Sequence, residues 1–187
     1  MNRITVFLVT IVCSIISFAA PKEKLKFMGI PMNTTIGVFQ QKLCTKGCKL
    51  SRDNKYAPKG QRDFTGTFAG EDCQIVVWYT PSSNKVYRVK AINKSYSDER
   101  VKSVYEEFKA MFISKYEDNS VIIPDTQDGY PSMTIYVYGE KDKEVIGRID
   151  LFISTNTYTF PTEYLLHIDY HDEDANEADR RSRMDDI

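Results

Sequence analysis

Residues 144–171 run EVIGRIDLFIS, TNTYTFP and TEYLLHIDYH in succession, and the alternation in this stretch decides the fold. Val145, Ile149, Leu151 and Ile153 share one side of the first segment, and Arg148, Asp150 and Phe152 share the other. In the last segment Tyr164, Leu166, Ile168 and Tyr170 alternate with His167 and Asp169. Period two with β-branched and aromatic residues is the pattern of a half-buried strand. The connection TNTYTFP is short enough to predict an antiparallel pair.

The pattern extends outward. MTIYVYG (133–139) predicts a further strand, joined to this pair through the charged turn EKDK (140–143). Upstream, DFTGTFAG (63–70), CQIVVWYTP (73–81) and KVYRVKAI (85–92) predict three more, the last two separated by Ser82, Ser83 and Asn84. SDERVKSVYEEFKAMFISKYED (97–118) predicts an amphipathic helix. Ser97 or Asp98 caps it, Asp98 and Glu99 suit the positive end of the helix dipole, and Val101, Val104, Phe108, Met111, Phe112 and Tyr116 form its apolar face. A shorter helix runs from Asn33 or Thr34 through Ile36, Phe39 and Leu43 to a stop at Gly47. Residues 49–61 and 118–132 read as loops.

The expected fold is therefore α+β, an antiparallel sheet of about six strands with two helices packed on one face. The order helix, three strands, helix, three strands suggests two α-β-β-β units. The helix-covered face takes Val86, Ile92, Met133, Ile135, Val137, Val145, Ile149, Leu151, Ile153, Leu166 and Ile168. The opposite face carries Trp78, Arg88 or its neighbour Tyr87, Tyr136, Tyr138, Arg148, Asp150, Phe152, His167 and Asp169. Aromatic residues mixed with charges on an open sheet face suit contact with a protein or ligand, because Trp, Tyr and Arg dominate binding hot spots. Cross-strand aromatic pairs that stabilise a half-exposed sheet account for the same composition. Trp78, Tyr136, Tyr138, Arg148, Phe152 and His167 are the candidate binding residues.

The ends of the chain set the context. Arg3 followed by the uncharged run Ile4–Phe18 and small residues at Ala19 and Ala20 reads as a secretory signal peptide over residues 1–19. Its removal leaves roughly 170 residues, one ordinary domain over 20–171 with an acidic tail over 172–187 and no stable membrane span. The predicted location is periplasmic or extracellular. With 25 basic and 26 acidic residues, the near-neutral chain is not built as a general nucleic-acid binder. Lys42, Lys46, Lys49, Arg52, Lys55, Lys59 and Arg62 are opposed only by Asp53. This stretch, 42–62, reads either as a solvated loop or as a site for phosphate, acidic sugar or lipid head groups.

Export permits a disulfide. Cys44 and Cys48 are four apart, a spacing that bridges poorly, so a pair with Cys73 is favoured, Cys48–Cys73 or Cys44–Cys73. Buried free thiols are the alternative. The three cysteines lack a fourth zinc ligand nearby.

No Gly-rich phosphate loop, G-x-S-x-G or H-E-x-x-H occurs. Asp172, Asp174 and Asn176 match the start of a calcium loop, but Glu177 stands where the turn glycine belongs and Arg183 where the bidentate glutamate belongs. His167 and His171 share a strand face roughly 13 Å apart, at about 3.3 Å per residue, too far to hold one ion. No catalytic residue, metal or cofactor is assigned, and a hydrolase of unknown type ranks third among the functional readings.

LKFMGIPMNTTIGVFQQKL followed by Lys46-Gly47 resembles the opening of a large group of exported proteins from Bacteroidetes-type bacteria. Leu25, Phe27, Gly29, Ile30 and Pro31, then Thr35, Ile36 and Phe39, carry the resemblance, and FTGTFAGEDCQIVVWY and the terminal MDDI are similar to the same group. In the group an aromatic residue commonly follows the Lys-Gly end; here Cys48 takes that place. The resemblance transfers no activity. At the level of fold, the helix-plus-sheet pattern also resembles β-lactamase-inhibitor-like proteins, which implies an aromatic sheet face presented to a protein partner. The expected function is thus a non-enzymatic exported module that binds an envelope or exported protein through that face, with an anion or glycan site in 42–62 as the alternative.

Overall fold

In the computed structural model, residues 23–140 and 143–174 are described. The signal peptide read from residues 1–19 and most of the acidic tail lie outside them. No helix among the described residues is long and apolar enough to cross a membrane.

The chain opens with a small hairpin, β1 (Lys26–Phe27) and β2 (Ile30–Pro31). Met28 and Gly29 both take positive φ, the geometry of a tight two-residue turn. Leu25, Phe27, Ile30 and Met32 are all buried, so this segment is a core element. Helix α1 (Ile36–Thr45) follows and buries Ile36, Phe39 and Leu43. Its N-cap is Thr35, one or two residues beyond Asn33 and Thr34; Thr35 bridges to Lys85, and the Ile36 N–H donates to the Asn84 carbonyl. Gly47, at φ +89°, ends the helix and lets the Cys48 N–H return to Leu43.

The main sheet has eight antiparallel strands: β3 (Lys49–Leu50), β4 (Gln61–Phe68), β5 (Glu71–Tyr79), β6 (Val86–Ser95), β7 (Ser120–Gln127), β8 (Tyr130–Tyr138), β9 (Val145–Asn156) and β10 (Glu163–Asp172). Helix α2 (Asp98–Tyr116) separates β6 from β7, with the Ser97 side chain accepting from the Arg100 N–H as its cap. The spatial order is β3-β4-β5-β6-β10-β9-β8-β7. Two four-stranded meanders therefore meet through their last strands, β6 and β10, where six strands in two triplets had been expected.

Both additions come from segments read as loops. β3 is two residues long. β7 lies in 118–132, where Pro124 and a polar run hide the strand; Pro is tolerated there because β7 is an edge. Asp128-Gly129, both at positive φ, form the hairpin turn to β8.

The core lies on one face of the sheet. It joins Phe64, Ile75, Ala91, Ile168, Leu151 and Met133, aligned across six strands, to both helices and the N-terminal segment. Tyr105 of α2 is buried and Met111 is exposed, reversing the expected face at that position. Val89 and Ala91 enter the core in place of Ile92, because Tyr87 is an extra residue in a bulge opposite Trp78 and Tyr79. A second bulge shifts the β8–β9 register between Val137 and Tyr138, and Val145 is only half-buried while Ile146 is buried.

Candidate binding face

Both helices and the N-terminal hairpin join the core on one side of the sheet. On the other side the register aligns Gln61, Trp78, Arg88, His171, Arg148, Tyr136 and Val121 in a single row. The next row holds Asp63, Val76, Lys90, Asp169, Asp150, Thr134 and Ile123. A third includes Gln74, Ile92, His167, Phe152 and Ser132. Trp78, Arg148 and Tyr136 thus share one row with half-buried Tyr138 two residues further along β8, and Phe152 and His167 are direct cross-strand neighbours. The strand alternation brings Trp78, Tyr136, Arg148, Phe152 and His167 to the helix-free side, whereas Tyr138 lies past the β8–β9 register shift and lines a pocket with Leu25, Lys26, Lys115 and Tyr116.

What the sequence did not reveal is the charge network that organises this side. Asp169 and Asp150 stand directly opposite one another, an arrangement that destabilises a sheet unless cations compensate. Asp169 is almost fully buried, with 4% of its side chain exposed. Arg88 grips it through two bonds, Nε to Oδ1 at 2.9 Å and Nη2 to Oδ2 at 2.6 Å. Lys90 Nζ lies 2.9 Å from Oδ2 and His171 Nε2 3.3 Å from Oδ1. Burial pushes the Asp169 carboxyl up, but hydrogen bonds from Arg88, His171 and Lys90 outweigh it and hold the group well below the usual carboxylate range. Asp150 accepts from Arg148 Nε at 3.0 Å and from Thr134 Oγ1 at 2.9 Å, and His171 Nε2 lies 3.5 Å away. The Arg88 guanidinium also lies over the Trp78 ring, 4.6 Å from its centroid.

His167 is a separate case. Its ring stacks on Phe152 with centroids 4.6 Å apart, and Nε2 lies 2.7 Å from Ser154 Oγ. Nδ1 is buried with no hydrogen-bond partner among the described residues. The Ser154–His167 contact is a hydrogen bond between neighbouring strands β9 and β10. Burial, helped by nearby Lys90, pushes the His167 imidazole down to about 4.

The pH consequence has a definite sign. An unfolded His167 titrates near 6.5, so protons bind the unfolded chain first. The stability contributed by the neutral folded ring is complete above that value and is lost as pH falls from about 6.5 to 4. Replacement by phenylalanine, which keeps the stack on Phe152, is expected to remove about 3 kcal/mol of this acid sensitivity. Urea midpoints measured between pH 7 and 4 test it; parallel curves for the two proteins would refute it.

The cysteines named for a possible disulfide, Cys48 and Cys73, are both buried free thiols, and Cys44 is an exposed one. Gly66 lies between them: it pairs with Cys73, and a Cβ added to it would fall 2.7 Å from Cys48 Sγ and 3.0 Å from Cys48 Cα. Burial raises both thiols, Cys73 to about 12, which favours the protonated form over the nucleophilic thiolate.

Of the basic stretch 42–62, Arg62 bonds Gln40 and lies over Tyr79, and Lys55 lies over Tyr56. Lys49 lines a groove of about 730 Å³ together with Thr65, Gln74, Ile92, Lys94 and Tyr96. No protein-family model, characterised protein or solved structure matches this chain.

Proposed function

We propose that this protein is an exported, non-enzymatic binding module that captures another exported or envelope protein on its helix-free sheet face. The supporting observation is the placement of Trp78, Tyr136, Arg148, Phe152 and His167 on the side opposite both helices, with Tyr138 at its edge past the β8 bulge. The resemblance to the exported Bacteroidetes-type group agrees with the location, and the resemblance to inhibitor-like folds agrees with the use of an aromatic sheet face. The aligned row crosses seven strands, about 29 Å at some 4.8 Å per strand, a width that suits a protein partner.

Trp78 is the sole tryptophan, and it serves as a reporter. Proteins retained from an envelope extract are purified and titrated back onto the domain. A partner using this face moves the Trp78 emission, and Tyr136→Ala combined with Tyr138→Ala weakens it about tenfold or more without altering the circular dichroism. A purified partner that binds with unchanged emission and unchanged affinity for the variant overturns the reading.

A second reading places an anion or glycan in the groove beside Lys49 and Lys94. It predicts affinity that falls steeply with salt and is lost in Lys49→Gln. Silence on a glycan array at low salt would remove it.

A further inference from the structure

The same face has an electrostatic asymmetry that names the chemistry of its partner. In the row Trp78–Arg88–His171–Arg148–Tyr136, three adjacent strands contribute two guanidiniums with an imidazole between them. Their counter-charges, Asp169 and Asp150, stand one row away. The carboxylates are the deeper groups: Asp169 is 4% exposed and Asp150 22%, whereas Arg88 is 33% and Arg148 36% exposed. An approaching molecule therefore meets guanidinium edges before it meets carboxylate.

The donors are also only partly used. A guanidinium carries five N–H groups. Among the described residues Arg88 commits Nε and one Nη2 hydrogen to Asp169, and Arg148 commits Nε to Asp150. Nη1 of Arg88 and both Nη groups of Arg148 lie outside these bonds to the aspartates. The buried aspartates thus hold the two side chains by their inner edges and leave their outer edges presented, about 10 Å apart at the backbone. Pinning also removes much of the rotamer entropy that a free arginine loses on binding.

We infer that Arg88 and Arg148, straddling His171, form an anion clamp for carboxylate side chains of an acidic polypeptide segment, flanked by Trp78 and Tyr136 as apolar contacts. This rests on the reading of the sheet face as a protein-binding surface and adds the partner's charge. A polypeptide fits better than an acidic sugar. Trp78 and Tyr136 stand four strand spacings apart, about 19 Å, so no single sugar ring stacks on both. The flat row matches the Trp, Tyr and Arg composition of protein hot spots.

The probe is octaglutamate, titrated into the full processed chain at low salt and followed by Trp78 emission. Octaglutamine and a sulfated heparin oligosaccharide are run in parallel. Octaglutamate is expected to bind and octaglutamine to remain silent. Arg148→Gln should weaken octaglutamate about tenfold or more, while Lys109→Gln, an equal loss of charge on α2, leaves affinity unchanged. Arg148 is chosen because Asp150 keeps its Thr134 bond; replacing Arg88 would cost the buried Asp169 both guanidinium bonds. Octaglutamate binding unaffected by Arg148→Gln overturns the clamp, as does absence of any Trp78 response. Preference for the sulfated oligosaccharide overturns the assignment to an acidic polypeptide. Binding only after residues 175–187 are deleted overturns it too, and makes the chain's own tail the occupant. If the purified protein partner still binds through Tyr136 and Tyr138 while octaglutamate fails, the clamp alone is lost and the face reading stands.

Discussion

Asp169→Ala is expected to lower the unfolding free energy by 3 kcal/mol or slightly more, at the lower end of the ~3–5 kcal/mol seen when one partner of a buried pair is removed. The carboxylate is buried and answers two cations, Arg88 and Lys90, with His171 Nε2 3.3 Å away. Removing it leaves Lys90, only 15% exposed, without its anion. Arg88, a third exposed, can turn to water, and that relaxation is why the low end is expected. Urea denaturation at pH 7 gives the value. The comparison is Glu163→Ala, whose exposed partner Lys94 is well solvated, so little change follows. If the two variants lose equally little, the Asp169 network contributes nothing beyond a surface bridge.

The same residue has a pH signature distinct from that of His167. Its folded carboxyl titrates below the ordinary value near 3.8. The stability it confers is therefore complete above that value and is lost as pH falls below it. The wild-type chain should weaken in two steps on acidification, first His167 and then Asp169. Asp169→Ala abolishes the second and deepens the first, because Asp169 favours the protonated His167.

The partial legibility of this fold follows from what is local and what is not. Strands β4, β5, β6, β8, β9 and β10 and both helices were readable because each carries its own periodicity. β7 was not: Pro124 and the polar run 125–128 mask it, and only the Asp128-Gly129 turn signalled a hairpin. Side assignments failed where bulges insert a residue. Val86 and Ile92 have equal parity in the sequence, yet the bulge at Tyr87 sends Val86 into the core and Ile92 to the opposite face. For the face itself, alternation along each strand selected Trp78, Tyr136, Arg148, Phe152 and His167, but left Arg88 undecided against Tyr87. The clamp was invisible because it depends on β6 pairing with β10, and hence on Arg88 meeting Asp169 across 81 positions of chain and His171 across 83. No local pattern encodes that register.

The N-terminal hairpin is the other element whose role the sequence understated, and Phe27→Ala measures it. Phe27 is fully buried. Its ring stacks on Phe68 at 5.0 Å and meets Tyr170 edge-on at 5.2 Å. Phe68 in turn stacks on Phe108 of α2, so one ring couples hairpin, sheet and helix. Truncation removes the transfer free energy of a large side chain, leaves a cavity and breaks two aromatic pairs, a loss of about 4 kcal/mol. The urea midpoint should fall with an unchanged slope, since the native fold is retained. Phe160→Ala, which removes a ring that is entirely exposed, should change nothing. A loss below about 1 kcal/mol in Phe27→Ala would mean that the hairpin merely rests on the sheet. The expected loss has a consequence across the sheet, because Tyr170 lies between Asp169 and His171 on β10 and points to the opposite side. The Phe27–Tyr170 contact seats the strand from behind while Arg88 and Lys90 grip it from in front. Phe27→Ala should therefore weaken the fold while leaving octaglutamate affinity unchanged in the fraction that remains folded, a separation of stability from binding that Arg148→Gln should show in reverse.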